Sequence, residues 1–241
     1  MNLFHKRPIE SLGFDFIEPK FLPKGKNEYH LRNKQRADKS LFSPLTKKQI
    51  EILIENQNES DHWDNILVSK KFNPNLVKRN RFFGKITLGD LSPFYHEFHN
   101  FKMREGIYDS MIISSDIGNN VCIDNVKYLS HYIIGNDVMI ANVNELATTD
   151  KAKFGNGILK DGETDEKSRI VIEVCNENGG RKIIPFDGML SGDAYLWSKH
   201  QGDGVFMNRL REMTERKFDK QRGYYGSIGD RTVIKNCGII K

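Results

Sequence analysis

IGNNVCIDNVKYL, residues 117–129, is written a second time as IGNDVMIANVNEL at residues 134–146, an offset of 17. Eight of the thirteen positions are identical: Ile117 with Ile134, Gly118 with Gly135, Asn119 with Asn136, Val121 with Val138, Ile123 with Ile140, Asn125 with Asn142, Val126 with Val143 and Leu129 with Leu146. A third copy, IGDRTVIKNCGII at 228–240, keeps Ile228, Gly229, Ile234 and Asn236, and a weaker one opens at Phe154 as FGNGI. A short fixed period is the mark of units that bury their apolar faces on one another. Val121-Cys122-Ile123 and Val138-Met139-Ile140 alternate with period 2, so the copies are strands. Gly118, Gly135, Gly155 and Gly229 each follow an apolar residue, where a sharp corner can demand dihedrals that only Gly adopts without strain. Asn125, Asn142 and Asn236 recur at one place, and stacked copies would bring them one strand spacing apart as an amide ladder.

Upstream, FFGKITLGD and IYDSMIISSDIGNN are further short β-rich runs. Before them, Thr46 with Gln49 forms a capping box, and Leu45 with Ile50 a hydrophobic staple, for a helix running to about Asn56 with Ile50, Leu53 and Ile54 on one face. Trp63, Ile66 and Leu67 suggest a second short helix or turn. Residues 45–81 therefore read as a helical cap over coils at 82–160. Downstream the repeat is interrupted from 161 to 227. Arg169 to Val174 and Arg181 to Ile184 flank the turn NENGG as a hairpin. Ala194, Leu196 and Trp197 open a helical segment, and Val205, Phe206, Leu210, Met213 and Phe218 supply an apolar stripe. Phe186, Leu196 and Trp197 read as core anchors of a side subdomain, after which the repeat resumes at 228–241.

The first 44 residues are a basic arm. Residues 1–40 hold nine of the 37 Lys and Arg and five of the 32 Asp and Glu, so they carry +4 of the net +5. Pro8, Pro19, Pro23 and Pro44 exclude long helices there. Phe14, Phe16, Ile17, Phe21 and Leu22 give the arm apolar surface with which to pack. No helix-turn-helix, RRM or zinc-finger pattern accompanies the charge, so nucleic acid is not the expected partner. No apolar run approaches the roughly 20 residues of a membrane span, and the N-terminus lacks a secretory h-region, which makes the cytoplasm the expected compartment. Cys122, Cys175 and Cys237 lack CxxC spacing, and no metal site is expected.

An apolar residue followed by Gly, with apolar residues at about six-residue intervals, resembles the hexapeptide repeat of left-handed parallel β-helices, in which about eighteen residues make one coil. More narrowly, YHLRNKQ, WDNILVSKKFNPNLV, NVKYLSHYIIGN, NVNELATTDKAKFGNGI, CNENGGR, PFDGMLSGDAYLW and KFDKQRGYYGSIGDRTVIKNC resemble the N-terminal third of a large, uncharacterised bacterial β-helix family, a domain of unknown function within the trimeric acyltransferase-like superfamily. The resemblance runs from about Pro8 to Lys241. It implies a left-handed β-helix with an N-terminal helical cap and an inserted hairpin and helical subdomain, in a chain that is a C-terminally truncated fragment. It brings no established activity and no known cofactor.

Hexapeptide β-helices are commonly acyltransferases or accessory domains of pyrophosphorylases, and usually trimerise. The resemblance therefore implies a transferase-like protein acting on an activated sugar or acyl donor, with a sugar-phosphate, nucleotide-sugar or acyl-CoA ligand in a homotrimer. A noncatalytic ligand-binding or assembly scaffold is the alternative. His131, in LSHYIIG before a coil, is the candidate general base, since an imidazole near neutral pKa can take a proton from a hydroxyl or amine. His96, His99 and His200 lie in polar connections. Asn178, Gly179, Gly180 and Arg181 offer backbone donors and a guanidinium to an anion, and Arg222 joins Lys217 and Lys220 in a second basic stretch. No Walker loop, dinucleotide fingerprint, HExxH motif, nucleophile elbow or nucleotidyltransferase signature is present.

Overall fold

The computed structural model describes residues 4–36, 41–149, 157, 159–160, 163, 169–174, 179–186, 188–217 and 224–240. The chain divides into two compact units, one comprising residues 1–152 with 223–241 and the other residues 153–222.

In the first unit a six-stranded sheet runs β1 (Ser43–Pro44), β3 (Ile66–Val68), β6 (Ile86–Leu88), β11 (Asp116–Ile117), β14 (Tyr132–Ile134) and β18 (Gly226–Ile228). All its pairs are parallel except β1 with β3. A nine-stranded sheet collects β2 (Glu59–Ser60), β5 (Arg81–Phe83), β10 (Met111–Ile113), β13 (Leu129–Ser130), β15 (Met139–Ala147), β12 (Cys122–Val126), β9 (Gly106–Tyr108) and β4 (Val77–Lys78), with β19 (Val233–Ile240) on β15. A separate antiparallel hairpin pairs β7 (Tyr95–Phe98) with β8 (Phe101–Arg104). Two helices, α1 (Glu28–Gln35) and α2 (Lys47–Glu55), complete this unit. Its main core is the inward row of the repeats, including Ile117, Ile123, Val126, Leu129, Ile134, Ile140, Val143 and Leu146, packed with Leu53 of α2.

The left-handed β-helix expected from the hexapeptide resemblance is corrected by this topology. The described residues make a mixed α/β fold of several separate sheets, one of them mixed, two of them antiparallel hairpins, with four helices. What the 17-residue repeat specifies is narrower: the register of neighbouring parallel strands. Cys122 lies beside Met139, Val126 beside Val143 and Leu129 beside Leu146. Sequence identity between copies says which residues sit side by side. It does not fix how helices, hairpins and an antiparallel edge strand join those pairs.

The role expected of the glycines also changes. Gly118, Gly135 and Gly229 are absent from the left-handed positions, which fall instead on Asn120, Asp137 and Arg231 two residues later. Gly118 and Gly135 are required by close approach: a Cβ on Gly118 would stand 2.4 Å from the Gly135 carbonyl oxygen, and one on Gly135 2.4 Å from Asp230 Oδ1. A side chain at either position would wedge adjacent copies apart. Gly155 and Phe154 lie outside the described residues.

The same criterion exposes a copy that sequence comparison missed. A Cβ on Gly89 would meet the Gly118 carbonyl oxygen at 2.4 Å, so Leu88-Gly89-Asp90 is the neighbour of Ile117-Gly118-Asn119. The hairpin β7–β8 stretches that offset to 29 residues and hides the period. The residue after each Gly has one job: the Asp90 N–H donates to Asn119 Oδ1 (2.8 Å), the Asn119 N–H to Asn136 Oδ1 (2.8 Å) and the Asn136 N–H to Asp230 Oδ1 (2.7 Å).

In the second unit β16 (Ile172–Val174) pairs antiparallel with β17 (Arg181–Ile183), the expected hairpin, and two helices follow, α3 (Ser191–Lys199) and α4 (Gly204–Lys217). Trp197 is the anchor, buried with Ile183 and Ile184 and flanked by Met207 and Leu210. Leu196 is not an anchor, and Val205 and Met213 of the expected stripe face solvent. Phe218 is outside the described residues.

Candidate functional site

The N-terminal arm folds back on the first unit along a buried polar seam. Asn27 caps α1 by accepting the His30 N–H at 3.2 Å, and the helix buries Glu28, Tyr29 and Arg32. Glu28 Oε2 accepts the backbone N–H groups of Phe16 (2.7 Å) and Ile17 (3.3 Å), while burial raises its carboxyl above the ordinary range. Arg32 donates to the Lys85 carbonyl at 2.7 Å and stands 3.1 Å from Asp116 Oδ1, both side chains at most 3% exposed. Its guanidinium also lies near the rings of Tyr29 (5.0 Å) and Tyr225 (5.5 Å). An ion pair this deep is costly to desolvate, and Thr87 offsets part of that by donating to Asp116 Oδ1 at 2.6 Å.

Ile17 with Tyr224 and Tyr225 forms a second core, to which Phe16, Phe21 and Leu22 add. The apolar residues of the arm thus pack as their composition suggests. The Phe16 ring lies on the His131 imidazole, with centroids 3.9 Å apart and planes 19° from parallel.

His131 itself occupies a left-handed corner (φ 58°) between β13 and β14. Its Nδ1 is 2.7 Å from Ser130 Oγ, and its buried Nε2 has no hydrogen-bond partner. Burial, aided by the Arg32 charge, pulls the imidazole down to about 4, so it is neutral at physiological pH. Ser130, His131, Tyr128, Glu145 and Thr148 line a cleft of about 390 Å³ with Phe16 at one side.

The anion-binding candidates belong to the second unit. Gly179 and Gly180 adopt φ 61° and 72° in the hairpin turn, and exposed Arg181 begins β17. Asn178, Arg222 and Lys220 are outside the described residues. His96 lies in β7 rather than in a connection, with its Nε2 3.1 Å from buried Glu105, and His99 stands in the turn that connects β7 to β8. Cys122 is buried, which pushes its thiol up to about 12, and Cys237 is partly buried against the main core of the first unit; Cys175 is outside the described residues. Among the described residues no cluster of His, Cys, Asp or Glu has the makings of a metal site, and no helix is long and apolar enough to cross a membrane.

Sequence reasoning missed Arg32 and Asp116. A signal existed: Asp116 is the sole ionised residue inside the apolar run MIISSDIG, a place where a charge needs a partner, and Glu28 and Arg32 share one helical face at i, i+4.

Fold and site together define a mixed α/β protein whose arm is fastened by a buried ion pair beside a neutral histidine. The chain belongs to the family described as a domain of unknown function (DUF4954), whose model matches residues 42–241. It is 43% identical over 234 residues to an uncharacterized protein of Treponema pallidum (strain Nichols), an alignment that covers 97% of this chain and 32% of that relative. The chain thus spans about a third of the relative's length. No solved structure matches it. These comparisons establish the family and no hexapeptide-repeat or acyltransferase-like kinship.

Proposed function

We propose that this chain supplies ligand binding and scaffolding, rather than a general base, to the longer proteins of its family. The observation that carries this reading is the state of His131. A base that takes a proton from a hydroxyl or amine works best with a pKa near the working pH, and this imidazole is held near 4 beneath Phe16. Its neutral ring suits the stacked, buried position it occupies. A homotrimer, and a sugar-phosphate, nucleotide-sugar or acyl-CoA ligand, belong to this proposal for the whole protein. Anion binding at Gly179, Gly180 and Arg181, with Asn178 and Arg222, is a further part of it.

A second reading, transferase-like, is favoured by one contact. Ser130 Oγ lies 2.7 Å from His131 Nδ1 in a cleft shared with Glu145, which pairs a hydroxyl with an imidazole at the cleft wall.

An NMR titration of His131 separates the two. The binding reading expects a pKa near 4 and no turnover on acyl-CoA and nucleotide-sugar panels. A pKa of about 6.5, the ordinary value, with turnover lost in His131→Asn, would decide for the transferase. Stability supplies a second check. Since the folded value lies below the unfolded one, the unfolded chain binds the extra proton between about pH 6.5 and 4. Stability is therefore complete above about pH 6.5 and falls through that window by at most roughly 3 kcal/mol. Urea midpoints at pH 7.5 and 4.5 should differ less in His131→Asn, which tolerates the left-handed corner and does not titrate.

A further inference from the structure

The arm follows one corner of the first unit. Phe83, Ile113 and Ser130 register side by side, and the residues after them, Gly84, Ser114 and His131, form that corner at φ 67°, 40° and 58°. The Gly13 carbonyl accepts the hydroxyls of Ser114 and Tyr29, the latter at 3.3 Å, and a Cβ on Gly13 would stand 2.9 Å from Gly84 Cα. Three residues on, the Phe16 ring covers the His131 imidazole and meets Tyr225 edge to face at 5.3 Å. Gln35 of α1 clasps the chain there: its Oε1 accepts the N–H groups of Tyr224 (3.0 Å) and Tyr225 (3.1 Å), and its Nε2 donates to the Tyr225 carbonyl (2.5 Å).

Closure has a cost. Glu28 Oε1, Arg32 Nε, Asp116 Oδ2, His131 Nε2 and Tyr225 Oη are all buried at this seam without a hydrogen-bond partner. Each is desolvated with no bond in return, so the rehydration that opening would bring opposes closure. Arm residues join the small cluster of Ile17, Tyr224 and Tyr225, and among the described residues none joins the main core. Lifting the arm therefore exposes little apolar surface and leaves the repeats packed, the mark of a segment that opens below global unfolding. We propose that residues 13–36 are an autoinhibitory strap over the His131 cleft, with Phe16 as the side chain that shuts it. Closed, Phe16 takes up one side of the cleft and one face of the imidazole. Open, the strap leaves His131 and Tyr225 as an aromatic surface beside Ser130 and Tyr128. A ligand that uses this surface binds with an apparent affinity scaled down by the fraction of chains that are open. The inference rests on the binding reading above and adds the regulation of its site.

The test is read on the full chain without ligand. In native amide exchange followed by NMR, the N–H groups of Phe16 and Ile17, which donate to Glu28, should be at least about a hundredfold less protected than those of Gly118 and Cys122 in the repeats. Diethyl pyrocarbonate should modify His131 measurably, but more slowly than exposed His99. Gln35→Ala loosens the clasp on Tyr224 and Tyr225 and leaves Phe16 in place. It should speed both His131 modification and Phe16 exchange at least about tenfold, with the Gly118 and Cys122 amides unchanged. Equal protection of the two sets of amides, a His131 that reacts as fast as His99 or not at all, or rates that Gln35→Ala leaves unchanged would each overturn the strap. Acetyl-CoA and UDP-glucose separate the strap from the reading it rests on. A strap that opens while neither ligand shifts the His131 signals keeps this inference and defeats the binding reading. Binding in the cleft with the arm as protected as the repeats does the reverse.

Discussion

Asn125, Asn142 and Asn236 all stand at φ 55–56°, a left-handed conformation that Asn tolerates better than other residues with a Cβ. Their side chains form the expected ladder: Asn125 donates to Asn142 at 2.9 Å, and Asn142 to Asn236 at 3.2 Å. Identity at these positions therefore has two causes, backbone conformation and side-chain stacking, and substitutions can separate them. Asn142→Gly removes the ladder but keeps the conformation, and at this exposed site should cost about 1 kcal/mol. Asn142→Ala loses both and should cost about 2 kcal/mol, the left-handed penalty being added. Denaturant midpoints check the order, and equal losses would show that conformation contributes nothing. The ladder was legible in the sequence because stacking puts like beside like. The reason for Gly118 and Gly135 was not, since a glycine kept for close approach and one kept for its dihedrals are the same letter.

Local signals carry elements as far as their partners are local. Thr46 and Gln49 mark the start of α2, and the capping box forms, with the Thr46 N–H 2.9 Å from Gln49 Oε1. Leu53 is fully buried, but Ile54, on the expected face, is 55% exposed, so the stripe is narrower than the apolar spacing suggests. The hairpin β16–β17 was legible from NENGG for the same local reason. Helix α1 was not, because EYHLRNKQ buries polar residues, and what they meet is Lys85 and Asp116, far along the chain. The charge of the arm was countable, but its pairing was not. Removing one partner of such a pair strands the other, so Arg32→Ala should cost about 3–5 kcal/mol and expose residues 1–36 to limited proteolysis. The double variant Arg32→Met/Asp116→Leu should recover much of that loss, because apolar residues of similar volume need no mutual neutralisation. If Arg32→Ala keeps the arm protected, the pair is not its fastening.

At the scale of the whole molecule, the strand register locates where the chain is interrupted. Ser130 pairs with Ala147, and Tyr132 with Gly226. One copy therefore bridges the two sheets with the single residue His131, where the next sends out residues 148–225. Neighbouring strands are separated by about 4.8 Å, so Ala147 and Gly226 lie near the flanks of that one-residue corner, within reach of a few linker residues. Among the described residues each unit also has its own apolar core: the clusters around Ile123 and around Tyr225 draw on the first, and the cluster around Trp197 on the second. A segment that leaves and returns at adjacent points and packs on itself is removable. Replacing residues 153–222 with a short Gly-Ser linker should thus leave the first unit with one cooperative transition. Its midpoint should move no more than the 2–4 °C that about 1 kcal/mol produces in a domain of this size. Circular dichroism melting and the dispersion of amide NMR signals measure this directly. A deletion variant that melts without cooperativity would mean that the second unit completes the first unit's core and that the two units do not fold independently.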